Sequence, residues 1–149
     1  MTKLLLTLIA TTTLCFAADP FVGTWKPANV EKWKTSPGFP DGHKSEVVTF
    51  ELLGKDQYRM TVSSSDGKST GNPVVWNVDG KEHKSESGYT VKFVRIDQHH
   101  LRQSYSTSKG SGVFDWVVST DGEALTETRK GIGSTSGRPL DELYVYERK

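Results

Sequence analysis

From about residue 20 onward, this chain is a succession of short runs in which apolar and polar residues alternate, each run closed by a turn. Val48/Phe50/Leu52, Tyr58/Met60/Val62, Val74/Trp76/Val78, Tyr89/Val91/Phe93 and Phe114/Trp116/Val118 each occupy every second position. A period of two puts them on one face of a strand, with mostly polar neighbours opposite. Strands are predicted at Phe21–Lys26, Ser45–Leu53, Gln57–Ser64, Pro73–Val78, Tyr89–Ile96, His100–Thr107, Gly112–Ser119, Ala124–Lys130 and Asp141–Arg148. Between them, Ser65-Asp66-Gly67, Asp79-Gly80 and Thr120-Asp121-Gly122 carry the Asp-Gly step of tight hairpins, where glycine accepts positive φ cheaply. No helical stretch of crossover length separates the strands, which excludes a parallel βαβ sheet. The expectation is all-β: an antiparallel up-and-down barrel of about 8–10 strands, whose closure removes unpaired edges. A sandwich competes, but only Pro27–Lys44 and Gly131–Pro139 are long enough to cross between sheets.

One segment breaks the rhythm. Pro27 to Lys34 can form two helical turns, with Val30 and Trp33 on one side, before Pro37, Gly38 and Pro40 stop it. Such a helix would cover an open end of the barrel; an irregular linker is the other reading.

The first 17 residues read as a signal peptide, with Lys3 as the basic n-region, Leu4 to Phe16 as the apolar stretch and Cys15-Phe16-Ala17 as the cleavage site. Cleavage after Ala18 would place Phe16 at the −3 position, a poorer fit. Residues 18–149 then form the single domain, exported to a periplasm or secreted. The bulky Leu14 before Cys15 argues against a lipidated cysteine. The chain has 19 basic and 18 acidic residues, and losing Lys3 with the leader leaves a neutral domain. Such a domain has no bulk attraction for nucleic acid or an anionic membrane. Its only cysteine departs with the leader, and no later stretch approaches the roughly 20 apolar residues of a transmembrane helix.

Catalytic and metal chemistry finds little support. His43, His83, His99 and His100 lack metal-ligand spacing, and the adjacent pair points to opposite faces of a strand. Two could still meet across loops with Asp97 or Glu82. Ser63-Ser64-Ser65 and Ser134-Thr135-Ser136 have no nucleophile elbow around them. Gly131-Ile132-Gly133 and Gly110-Ser111-Gly112 lack the strand–loop–helix setting of a phosphate loop. Asp115 falls on the face opposite Phe114 and Trp116, outward unless the register slips by one. No enzyme activity, metal or cofactor is expected; Asp115 with Tyr105 is the one pair an enzyme reading would use.

Phe21-Val22-Gly23-Thr24-Trp25-Lys26 resembles the opening strand of the calycins, the lipocalins and fatty-acid-binding proteins. Leu143-Tyr144-Val145-Tyr146-Glu147-Arg148-Lys149 resembles the closing strand of the fatty-acid-binding branch. Ser119 to Thr126 looks like the penultimate hairpin of small exported bacterial lipocalin-like proteins. The resemblance implies that Trp25 closes the barrel base beneath a basic residue from a late strand, Arg129 or Arg148. It also implies an inward Arg-x-Tyr pair that clamps a carboxylate. Tyr146 matches the tyrosine, but Tyr144 stands where the arginine belongs, and a phenol offers one hydrogen bond in place of a charged fork. Arg102 or Arg95 could substitute only by pointing inward. The pattern therefore favours a lipocalin-like container over a fatty-acid clamp.

Were Tyr144 and Tyr146 to face inward, alternation would add Tyr105, Gln103, Tyr89, Phe93, Phe114 and Trp116 to a mixed aromatic and polar lining. The expected partner is a small hydrophobic or amphipathic molecule, held without covalent chemistry. The same aromatics could instead fill a narrow barrel. The chain would then act as a protein-interaction module, through a rim patch around Val30, Trp33 and Phe39.

Overall fold

The computed structural model describes residues 18–36, 45–86 and 88–149. The leader, Phe39 and His43 lie outside them. Ten strands run in chain order: β1 (Gly23–Pro27), β2 (Glu46–Gly54), β3 (Gln57–Ser64), β4 (Val74–Asn77), β5 (Glu82–Lys84), β6 (Thr90–Asp97), β7 (His100–Thr107), β8 (Gly110–Val118), β9 (Ala124–Ile132) and β10 (Pro139–Arg148). They form one antiparallel sheet in the order β4-β3-β2-β1-β10-β9-β8-β7-β6-β5. Every neighbour in that order is also a neighbour in sequence, except where the first and last strands meet. This is an up-and-down β-barrel, and the continuous sheet excludes the sandwich.

The strand missing from the sequence reading is β5, which pairs with β6 through Glu82↔Lys92, His83↔Val91 and Lys84↔Thr90. Its three residues carry no apolar alternation. Over Pro27–Lys34, where the sequence admits either two helical turns or an irregular linker, the chain forms a single 3-10 turn at Val30–Lys32. Asn29 adopts φ 49° ahead of it, a left-handed conformation that cannot propagate as a right-handed helix. The segment then lies along β10, where Lys34 and Leu143 exchange backbone hydrogen bonds of 3.0 and 2.8 Å. Trp33 turns inward against Tyr144 and Tyr146, with ring centroids at 5.0 and 5.7 Å. Its indole N–H donates to the carbonyls of Ala28 and Val145. Trp33 is therefore not part of an exposed rim patch.

The barrel base is built around Trp25, which is fully buried. Cross-strand pairing sets Trp25 opposite Arg148, and the guanidinium lies 4.3 Å from the indole centroid. Of the two candidates, Arg148 fills this place and Arg129 does not. Arg148 also donates to the carbonyls of Pro20, Val22 and Gly122 at 2.8–2.9 Å, tying the N-terminal segment to the last strand. A Cβ on Gly23 would lie 2.5 Å from Arg148 Nη1, and Gly23 has φ +140°. The glycine of the Gly-x-Trp motif thus leaves the lane through which the arginine passes.

Phe21 plugs the same end, packing edge-on against Phe50 at 6.5 Å. Asp19 holds this plug to the far wall: its carboxylate accepts from Arg95 at 2.9 Å and from the Tyr58 hydroxyl. Arg95 is thus used at the base and is not available to a ligand at the other end. Above this layer, Phe50, Trp76, Phe93 and Trp116 pack ring against ring. They form the floor of the space that remains open.

Candidate functional site

Above the floor the barrel encloses a cavity of about 380 Å³. This lies within the usual size range of small-molecule sites. One wall is aliphatic, from Val48, Met60 and Val62 on β2 and β3. The opposite wall is aromatic, from Phe93 and Phe114 with Trp116 below. Alternation on each strand explains this arrangement, since residues of one parity face the lumen. Val74 and Val75 also border the space and are 48% and 46% exposed. They mark its opening beside the unpaired edge of β4.

Six of the residues expected inside line this cavity: Tyr89, Phe93, Gln103, Phe114, Trp116 and Tyr146. Tyr105 and Tyr144 are buried on the same side, but their hydroxyls are committed elsewhere. Tyr105 donates to the Ile132 carbonyl at 2.7 Å, and its ring lies parallel to Tyr89 with centroids 6.0 Å apart. Tyr144 donates to Glu142 Oε2 at 2.9 Å. Both phenols thus donate their protons to the protein itself.

The polar centre of the site is a cluster that sequence reasoning did not assemble. Register sets Glu142 opposite Arg129, and Tyr144 opposite Glu127, so all four side chains meet on the inner face of β9 and β10. Arg129 Nε donates to Glu127 Oε1 at 2.6 Å, and Nη1 lies 3.7 Å from Glu142 Oε2. The guanidinium sits between the Phe114 and Tyr144 rings, 5.1 and 4.9 Å from their centroids. Glu127 and Glu142 are fully buried, and Ser36 N–H also donates to Glu142 Oε1. Burial works against the Arg129 cation, but the Glu127 charge and hydrogen bond outweigh it and raise its pKa, so it stays charged. The Tyr146 phenol is pushed up by burial and then by the Glu127 charge, so it stays neutral. A signal for this cluster existed. Once Leu125 and Tyr144 are taken as inward, a period of two brings in Glu127, Arg129 and Glu142.

The other candidates lie away from the cavity. Arg102 points outward and forms a fork with Asp115, at 2.7 and 3.2 Å. His100 adds a contact of 2.6 Å to the same carboxylate. Partial burial would raise the Asp115 pKa, yet the hydrogen bonds from Arg102 and His100 hold it below the usual range. Asp115 is therefore an outward, paired carboxylate with no route to Tyr105. His83 pairs with Asp79, and no group of three metal-ligating side chains converges among the described residues. No described helix is long and apolar enough to cross a membrane.

No protein-family model matches the sequence, and no curated protein is significantly similar to it. Solved structures do align with it. The wild-type fluorescent protein UnaG superposes with a TM-score of 0.59 at 12% identity, covering 89% of this chain and 100% of its own. A secretory abundant heat-soluble protein from Ramazzottius varieornatus gives 0.60 at 12% identity, covering 89% and 98%. A Schistosoma mansoni fatty-acid-binding protein in complex with arachidonic acid gives 0.54 at 17% identity, covering 87% and 96%. Together with the strand order, these likenesses establish a calycin-type β-barrel.

Proposed function

We propose that this protein is an exported, lipocalin-like container that holds a small apolar or amphipathic molecule inside its barrel, with no bond made or broken. The observation that carries the reading is the cavity of about 380 Å³ between aliphatic and aromatic walls. Apolar surface moved out of water there contributes roughly 25 cal/mol per Å². Gln103 and Tyr146 are among the lining groups able to hydrogen-bond a polar end. The cavity itself weighs against the packed interaction module. The ligand of the Schistosoma protein, arachidonic acid, supports an apolar cargo for this architecture. The leader-like residues 1–17 support export.

Native mass spectrometry of the protein recovered from its own compartment, followed by organic extraction, tests the proposal. A stoichiometric extra mass that extracts as an apolar compound is the expected result. A clean apo mass, together with failure to take up neutral fluorescent lipid probes, would overturn it.

A further inference from the structure

Among the described residues lining the cavity, Arg129 is the only cation, and it is already engaged. Glu127 takes its Nε–H at 2.6 Å and Glu142 stands 3.7 Å from its Nη1. Phe114 and Tyr144 cover its flat faces. A ligand carboxylate could use this guanidinium only by competing with two carboxylates supplied by the chain. Both Glu127 and Arg129 line the cavity. A carboxylate head would therefore meet the Glu127 charge, in surroundings that screen poorly. Any charged head would also lose its hydration on binding.

Glu46 adds a second carboxylate to the lining, and the polar groups besides these three are neutral. Gln103 carries an amide that can both donate and accept. Tyr146 offers a phenol. Amide and phenol groups match hydroxyl, ester or amide heads, to which they can donate and from which they can accept.

We infer that the cavity discriminates against a carboxylate head in favour of an uncharged polar end, such as that of a long-chain alcohol, ester or amide. The inference rests on the container reading and names its ligand class. It departs from the Schistosoma relative in fold, which was crystallised with a carboxylic acid.

The test is displacement of Nile red, an uncharged probe, from the full-length protein at pH 7 by dodecanol and dodecanoate. These share one chain length and differ in head charge. Dodecanol is expected to compete at concentrations about tenfold or more below dodecanoate. Dodecanoate competing as well as dodecanol, or better, would overturn the inference while leaving the container reading intact. Failure to bind Nile red or either amphiphile would instead sink the container reading, and the inference with it.

A variant isolates the pair. Glu127→Gln leaves the Arg129 charge less compensated, so the affinity for dodecanoate relative to dodecanol should rise about tenfold. An unchanged ratio in folded Glu127→Gln protein would overturn the role given to the pair. Should that variant fail to fold, Glu142→Gln applies the same test from the other side of the guanidinium, and the wild-type series stands without either.

Discussion

Trp76 on β4 and Phe93 on β6 stack with ring centroids 4.7 Å apart and planes 20° from parallel, at the one place where the barrel's strand ladder is open. β4 and β5 are joined by only four residues but are not paired. The link from β4 instead donates Gly80 N–H to the Phe93 carbonyl at 3.0 Å. Beyond that one backbone bond, side chains close the seam. The Trp76 indole also packs against Phe50 at 5.2 Å and Trp116 at 5.3 Å, so it joins both sides of the opening to the floor of the cavity.

Trp76→Ala should therefore cost about 3–5 kcal/mol, the usual range for removing a buried aromatic. Trp76→Phe, which keeps a ring for the stack, should cost less. Urea unfolding of both variants checks the order. Equal losses would mean that the ring stack contributes nothing beyond the area it buries.

Gly23 and Arg148 should be coupled. Gly23→Ala places a methyl 2.5 Å from Arg148 Nη1, and removing the guanidinium relieves that clash but not the backbone strain of the positive φ. In a double-mutant cycle, Gly23→Ala should be less damaging in an Arg148→Ala background, with a coupling of about 0.5–3 kcal/mol. Additive losses would show that the arginine is not what excludes a side chain there.

How much of this was legible beforehand follows from period-two alternation. It placed Phe93, Phe114 and Trp116 on the inner face because each lies in a run with apolar residues of the same parity. The same alternation failed at Glu82-His83-Lys84, where pairing is set by the neighbouring strand alone. It also gave no account of which hydroxyls point at the lumen. Tyr105 and Tyr144 are inward by parity, but Ile132 and Glu142 take their hydroxyls, and those partners depend on strand register. Charged residues on an inner face were the hardest to foresee. Glu127, Arg129 and Glu142 follow the parity of Leu125 and Tyr144, yet charge is expected outside unless each group has a partner. Here the partners come from two strands, so the cluster makes sense only once β9 and β10 are in register.

That cluster should be sensitive to the loss of its cation. Arg129→Met keeps much of the side-chain volume but leaves Glu127 and Glu142 buried without the guanidinium between them. Breaking a buried ion pair from one side typically costs about 3–5 kcal/mol. Adding Glu127→Gln and Glu142→Gln to Arg129→Met should recover part of the loss, because no uncompensated carboxylate then remains. Thermal melts of the single and triple variants decide it. A triple variant no more stable than Arg129→Met would show that packing, and not charge, sets the cost.

The tyrosines give the pH dependence its direction. The chain has five, and burial raises the pKa of every one above the ordinary phenol value near 10. For Tyr58 the Asp19 hydrogen bond adds to that effect, and for Tyr146 the Glu127 charge does. A phenol with a higher pKa in the folded state binds its proton more tightly there than in the unfolded chain. Its contribution to stability is complete below the unfolded value of about 10 and is lost as pH rises from there toward the folded value. Stability should therefore fall on the alkaline side above pH about 10. Tyrosinate absorbance should appear together with loss of the native circular-dichroism signal, in one transition and without an earlier step. A fraction of the phenols ionising near pH 10 in protein that is still folded would contradict the burial of the aromatic lining, and with it the water-excluding wall on which the cavity depends.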